Sequence, residues 1–241
     1  MKKWSFFWGI LLLMMGALAG CGDGGGEETI DPSALQGQLE TFDSYRSTTY
    51  ILVKPDVGDA QGVDVTMSVV KDPPAKHLVF RLEGAQSVAE LNSMEFVEIG
   101  SDIYINLPQL GCMKETQATM GELGSPTQGL PTTDQLLSTL SSAERVTPDE
   151  TVNGVLTRHY VFDEKDIENS DTVESLEGHL YIAADTGYLV RLTMKGRGSA
   201  SFIDPTVLTT GAFEVDMNIL DINTPIVIEP MEGCEVPFTD Q

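Results

Sequence analysis

The chain has 241 residues, a formal net charge of −23 and only 14 lysine and arginine residues. Nucleic acids are bound through lysine and arginine contacts to phosphate, so a chain of this charge is not expected to bind them. The acidity favours a well-solvated surface. Cation binding is the alternative, but no loop has oxygen ligands at calcium-binding spacing, so neither a metal site nor a cofactor is predicted.

The first residues have the pattern of a bacterial export signal. Two lysines precede an apolar run from Trp4 to Ala19, which is shorter than the about 20 residues of a membrane-spanning helix. The run ends in Leu18-Ala19-Gly20-Cys21, which resembles the lipobox of bacterial lipoproteins, where the thiol takes a diacylglyceryl group before cleavage. Residues 1–20 are therefore predicted to be a lipoprotein signal peptide. Cys21 is predicted to carry the lipid that anchors the protein to a membrane on the extracytoplasmic side.

The anchor is followed by a short tether and one domain. Residues 21–29 are rich in glycine and have no apolar face to bury, which predicts a flexible segment. Residues 30–241 fall within the size range of a single all-β domain. With Cys21 assigned to the lipid, we expect Cys112 and Cys234 to form a disulfide in an oxidising compartment. Two free thiols are the alternative.

The domain is predicted to begin with one amphipathic helix. Asp31-Pro32 supplies an N-cap acceptor and a proline at the first helical position. Leu35, Leu39 and Phe42 then recur at helical spacing, so we expect them to share one buried face.

Two further helices are predicted later in the chain. The segment between Cys112 and Thr132 has no sustained periodicity and is predicted to be a loop. Three leucines that share one helical face follow this loop: Leu136, Leu137 and Leu140. A short third helix, capped by Asp171-x-x-Glu174, is predicted to carry Val173 and Leu176.

Most of the remaining chain is predicted to form antiparallel strands. Alternating or β-branched residues mark these segments: 47–54, 63–69, 78–82, 94–99, 103–107, 156–162, 178–183, 188–194 and 213–219. Turns at Gly100-Ser101-Asp102 and Asp185-Thr186-Gly187 predict hairpins, and no crossover segment for parallel pairing is present. We therefore expect a mainly β (α+β) domain, with a meander of roughly nine to eleven strands and two or three helices.

Two segments carry a resemblance to a known family. Asn153-Gly154-Val155 leads into His159-Tyr160-Val161-Phe162, and His179-Leu180-Tyr181-Ile182 precedes Asp185-Thr186-Gly187-Tyr188-Leu189-Val190-Arg191. With the lipobox, tether, opening helix and meander, they are similar to the LolA-like and mycobacterial LppX/LprG-type lipoproteins, over most of Ile30 to Pro230. The resemblance implies a strongly curved antiparallel sheet, or half-barrel. It also implies two or three helices packed on the concave side of that sheet, and an apolar space between them that accepts acyl chains.

The candidates for lining this space are apolar residues of the predicted helices and strands: Leu35, Leu39, Phe42, Val65, Met67, Phe80, Met94, Leu136, Leu140, Met194 and Met217. Methionine is flexible and polarisable, which suits an adaptable apolar wall. The alternative is that these residues fill a solid core. Residues 113–131 are interpreted either as a lid over the mouth of the space or as an ordinary surface loop.

No local signature of catalysis occurs in the sequence. The nucleophile elbow, the H-E-x-x-H helix and the phosphate-binding loop are all absent. His77, His159 and His179 lie in predicted strands and are expected to face solvent instead of forming a relay. We therefore expect a non-enzymatic envelope lipoprotein that binds a lipid or another apolar ligand for carriage or sensing. The alternatives are a structural or protein-interaction lipoprotein with an envelope protein partner and, third, an extracytoplasmic enzyme.

Overall fold

The computed structural model describes residues 28–84, 93–109, 111–116, 132–168, 172–200 and 209–234. Within them one curved antiparallel sheet has twelve strands, which is more than the nine to eleven expected. The strands are β1 (Thr29–Ile30), β2 (Ser44–Pro55), β3 (Gln61–Val70), β4 (Ala75–Glu83), β5 (Ser93–Ile99), β6 (Asp102–Leu107), β7 (Gly111–Thr116), β8 (Ala143–Val152), β9 (Val155–Asp163), β10 (Val173–Ala183), β11 (Leu189–Ala200) and β12 (Thr209–Leu220). The predicted mainly β class is confirmed.

The sheet consists of two meanders that join at their centre. Strands β2 to β7 pair in sequence, as do β8 to β12, and β12 pairs with β2. The short strand β1 pairs with β8, so β1 and β7 form the two edges of the described sheet. Short connections join β2 to β3, β3 to β4, β5 to β6, β8 to β9 and β10 to β11, and such connections favour antiparallel neighbours.

The predicted opening helix is wrong in form. Its residues make two 3₁₀ helices, Pro32–Leu35 and Gln38–Thr41. Gly37, which directly precedes the second of them, has a φ of 72°. This left-handed conformation ends a helix, and glycine adopts it without steric cost. The predicted cap at Asp31 is present, since its carboxylate accepts a hydrogen bond from the Ser33 amide at 2.9 Å.

The predicted leucine helix is present as α1 (Thr133–Ser138), but it is shorter than predicted, because Leu140 lies beyond its end in an isolated bridge to Ile167. Thr132 and Gln135 form a reciprocal capping box, in which each side chain accepts a hydrogen bond from the backbone amide of the other residue. The third predicted helix is wrong, because Val173 and Leu176 lie in β10, where pairing with β11 outweighs the local capping signal. A short 3₁₀ helix, Glu164–Asp166, precedes β10 instead.

Two predicted boundaries also differ. The first residues of the predicted loop after Cys112 belong to β7, which pairs with β6 through Thr116. Residues 117–131, the rest of the predicted lid, lie outside the described residues. The sheet begins at Thr29, within the predicted tether, while the signal peptide, Cys21 and the tether up to residue 27 lie outside the described part.

A C-terminal strap crosses part of the sheet. Residues 221–234 leave the end of β12 and reach β7, which lies six strands away in the sheet order. At its start the Asn223 amide donates to the Ser44 carbonyl at 2.8 Å, and the Ser44 hydroxyl donates to the Thr224 carbonyl at 2.6 Å. At its end Cys234 forms the predicted disulfide with Cys112, with a Cα–Cα distance of 4.6 Å.

The buried core lies on one face of the sheet, so truncation there should be costly. Leu180 on β10 is fully buried, whereas Leu156 on β9 is 56% exposed. We expect Leu180→Ala to lower the free energy of unfolding by about 2–5 kcal/mol, and Leu156→Ala to change it by less than about 0.5 kcal/mol. Urea denaturation of both variants measures the difference. Equal losses in the two variants would contradict the difference in burial between these two leucines.

The disulfide should stabilise the strap and the edge of the sheet. It joins residues separated by 122 positions, so it restricts a long loop in the unfolded chain. We expect the double variant Cys112→Ser/Cys234→Ser to unfold with a free energy lower by about 2–5 kcal/mol. Reduction of the wild-type protein should bring its denaturation midpoint to that of the double variant, and an unchanged midpoint in both would show that the bridge does not form.

Candidate functional site

One row of side chains crosses most of the sheet on its apolar face. Directly paired residues of antiparallel strands point to the same side, so register defines this row from β9 to β5. Its members in spatial order are Tyr160, Leu180, Leu192, Met217, Thr49, Val65, Phe80 and Met94. A second row runs beside it, from Met67 through Leu78 and Phe96 to Ile105 and Met113.

Burial changes abruptly along the first row. Its four members on β9 to β12 are at most 2% exposed, whereas the members on β2 to β5 are only partly buried. We name the partly buried apolar members of the two rows on β3 to β5 the apolar strip: Val65, Met67, Phe80, Met94 and Phe96. The apolar face is therefore filled at one end and still accessible at the other.

Helix α1 explains the filled end. The Thr133 hydroxyl lies 3.2 Å from the Met217 sulfur, and Leu137 and Leu140 join the buried cluster, which extends from β9 to β12 and on to Ile51 and Val63 of β2 and β3. The Gly37 amide lies 3.2 Å from both carboxylate oxygens of Asp134, which ties the 3₁₀ helices to α1. Beyond β12 the cover of this face is uneven, since Ile51 and Leu78 are buried while Phe80 and Met94 are only partly buried.

The structure brings most of the predicted cavity residues onto this face. Leu140, Met194 and Met217 lie in the filled cluster, and four more pack against it while partly buried: Leu35, Val65, Phe80 and Leu136. Met67 and Met94 lie in the apolar strip. Leu39 lies in the second 3₁₀ helix, and Phe42 follows it. The Phe42 ring packs edge-on against Tyr188 at 5.6 Å and Tyr45 at 6.5 Å, so it belongs to a separate aromatic group.

A charged group lies at the β9 end of the first row. The Tyr160 hydroxyl donates to the Glu28 carboxylate at 3.2 Å, and the Arg145 guanidinium lies 5.5 Å from the centre of the Tyr160 ring. Burial, reinforced by the negative charge of Glu28, raises the pKa of Tyr160 above its usual value. The Tyr160 hydroxyl therefore stays protonated at neutral pH and can act as a donor.

The opposite, polar face carries a cluster that the sequence did not predict. His159 on β9 and His179 on β10 approach each other, with 3.0 Å between His159 Nε2 and His179 Nδ1. The Tyr181 ring stacks on His159 at 4.7 Å with an interplanar angle of 10°. Burial lowers the pKa of His159. These histidines were expected to face solvent singly, because the register that joins β9 and β10 is not visible in the sequence.

Next to the histidine pair lies an open cleft of about 390 Å³. On its wall, Arg191 Nε and Nη2 donate to the two carboxylate oxygens of Asp216 at 3.0 and 2.6 Å. The cleft is lined by aromatic and charged side chains, including His179, Tyr181, Tyr50, Lys195 and Glu214. Its mixture of charges is unlike the apolar strip, so the two faces present different chemistry.

Some kinds of site are absent from the described residues. In that part of the chain, no three or more histidine, cysteine, aspartate or glutamate side chains are grouped so as to hold a metal ion. None of the helices described there is long and apolar enough to cross a membrane. Both described cysteines are in the disulfide, which leaves no free thiol among those residues.

No protein-family model matches the sequence, and the comparison with curated proteins gives no match. Among solved structures, LprF from Mycobacterium bovis has a TM-score of 0.43 and 13% identity, over 83% of this chain and 93% of that chain. A DUF1329 family protein from Desulfovibrio piger has a TM-score of 0.29 and 11% identity, over 83% and 92%. A LolA superfamily protein from Nitrosomonas europaea has a TM-score of 0.27 and 9% identity, over 78% and 89%. These neighbours include the LolA and Lpr classes of protein that the sequence resembles.

Proposed function

We propose that the chain is a lipid-anchored envelope protein that binds an acyl chain along its apolar strip, for carriage or sensing. The observation that supports this is the change in burial along one row of the sheet, from fully buried at Leu192 to partly buried at Phe80 and Met94. Apolar surface left accessible to water costs roughly 25 cal/mol per Å², so a ligand that covers it gains free energy. An accessible apolar strip beside a filled core is a common mark of a binding site.

The partly buried part of the first row, from Thr49 through the strip to Met94, has a length that suits an acyl chain. The row crosses four strands from Thr49 to Met94, and strands lie about 4.8 Å apart, so it is about 14 Å long. A lipid acyl chain spans about half of the 30 Å hydrocarbon core of a bilayer, which is about 15 Å. Met67 and Met94 give the strip flexible, polarisable walls that adapt to a disordered chain.

A protein partner with an apolar face is the second candidate, because the strip would also suit such a surface. The filled cluster under α1 favours this candidate, since its members Leu137, Leu180 and Leu192 are at most 1% exposed. The two candidates differ in whether a free fatty acid binds the isolated protein.

The anchor is tested by lipid labelling of the full chain in a bacterial host. We expect cells fed radiolabelled palmitate to label the wild-type protein but not the Cys21→Ala variant, because only Cys21 lies in a lipobox sequence. Cys112→Ser is the matched control and should keep the label. Label that persists in Cys21→Ala, or is absent from the wild type, would exclude lipidation at this residue.

Acyl-chain binding is tested with two neighbouring substitutions on β4. Phe80 lies in the apolar strip, and Val79 pairs with Glu95 on the opposite face. The purified full chain is reconstituted into vesicles, and a photoactivatable fatty acid is then added. Because the probe is added after purification, the lipid anchor itself carries no probe. We expect Phe80→Lys to reduce cross-linking by at least about tenfold, because an ammonium group in the strip must be desolvated by the ligand.

Val79→Lys should leave the cross-linking unchanged, and thermal melting should show that both variants are folded. Cross-linked peptides should map to β3, β4 and β5. Wild-type protein that takes up no probe, or a folded Phe80→Lys variant that binds as well as the wild type, would rule out the strip as a lipid site. The first of these results would favour the protein-partner candidate.

A further inference from the structure

The polar face holds two imidazoles whose inner nitrogen atoms converge. We propose that His159 and His179 form a binding site for a divalent late first-row transition metal ion, of the Cu²⁺ or Ni²⁺ type. His159 Nε2 and His179 Nδ1 are 3.0 Å apart and share a hydrogen bond, which a bound ion would replace. Both atoms are nitrogen ligands of the kind these ions prefer. The site is independent of the apolar strip, which lies on the opposite face of the sheet.

The distance between the two nitrogens favours Cu²⁺ or Ni²⁺ over Zn²⁺. With metal–nitrogen bonds of about 2.0–2.1 Å, two ligands 3.0 Å apart subtend an angle of about 90° at the ion. That angle is the one found in square-planar and tetragonal coordination, which Cu²⁺ and Ni²⁺ adopt with nitrogen and oxygen ligands. Tetrahedral Zn²⁺ prefers a wider angle and would require the two rings to move apart.

The outer nitrogen of each imidazole faces a carboxylate. His159 Nδ1 lies 3.1 Å from Glu150, and His179 Nε2 lies 3.4 Å from Glu177. A carboxylate on the outer nitrogen is the usual support of a metal-binding histidine, because it orients the ring and raises the basicity of the inner nitrogen. The two carboxylates also supply negative charge that offsets the charge of the ion.

The pair is held in place before any ion binds. His159 and Tyr181 are directly paired across β9 and β10, and their rings stack. The His159 and His179 side chains are 13% and 29% exposed, and His179 also lines the cleft, so the pair is sheltered but in contact with water. With only two protein ligands, the remaining coordination positions would be filled by water or by a small ligand. The net charge of −23 raises the local concentration of cations.

The chain contains three histidines, which makes a matched test possible. The full chain without an oligohistidine tag is extracted in detergent, and Cu²⁺ binding is measured by equilibrium dialysis and by electron paramagnetic resonance. We expect one Cu²⁺ per chain with two nitrogen ligands in the spectrum. Loss of a carboxylate partner alone typically weakens metal binding, so His159→Gln or His179→Gln should weaken it by at least about tenfold.

His77→Gln is the control, since His77 lies on β4 beside Glu95 and has no imidazole neighbour in the described sheet. It should bind Cu²⁺ as the wild type does, and melting curves should show that all three variants are folded. Unchanged binding in folded His159→Gln or His179→Gln would overturn the proposal, as would no binding by the wild type. If a variant does not fold, the wild-type spectrum decides the test. Fewer than two nitrogen ligands in that spectrum would overturn the proposal.

Discussion

A single β-sheet with one apolar face must cover that face, and the helices of the described residues are too short to cover all of it. Helix α1 has six residues, and the 3₁₀ helices before and after it are shorter still. They cover β9 to β12, where Leu180, Leu192 and Met217 are almost completely buried. On β3 to β5 the same face is covered unevenly, since Val63 and Leu78 are buried while the residues of the apolar strip are partly exposed.

Because the apolar face is covered unevenly, one set of residues stabilises the fold and another is available for binding. The filled end supplies the close packing that stabilises the fold, since each fully buried leucine contributes several kilocalories per mole. The strip contributes less, because its side chains still contact water in the free protein. The same physical cause therefore produces a rigid core around Leu180 and, beside it, an apolar surface around Phe80 on which a ligand would gain free energy by displacing water.

The polar face of the sheet carries charged pairs instead of a packed apolar cluster. Charged pairs cross neighbouring strands there, such as Arg191 with Asp216 and Lys54 with Glu214, and most of these are partly exposed and so contribute little to stability individually. The C-terminal strap reaches the far edge of the sheet and is fixed by the disulfide. On this surface His159 and His179 share a hydrogen bond, Tyr181 stacks on His159, and each outer imidazole nitrogen lies beside a carboxylate.

Alternation, capping residues and the small number of cysteines predicted nine of the twelve strands (β2 to β6 and β9 to β12), the helix α1 and the pairing of Cys112 with Cys234. Three strands were not predicted, because β1 begins in the predicted tether, β7 runs into the predicted loop, and β8 has no clear period-two pattern. The sequence by itself misassigned the opening helix, where Gly37 interrupts the helical spacing, and the segment around Leu176, where pairing with β11 overrides a capping motif. Only the tertiary structure decided which apolar residues are buried and which form the strip, since this depends on where α1 lies on the sheet. It also decided that His159 meets His179, because the register between two strands is fixed by packing of their apolar face and is not visible in either strand alone.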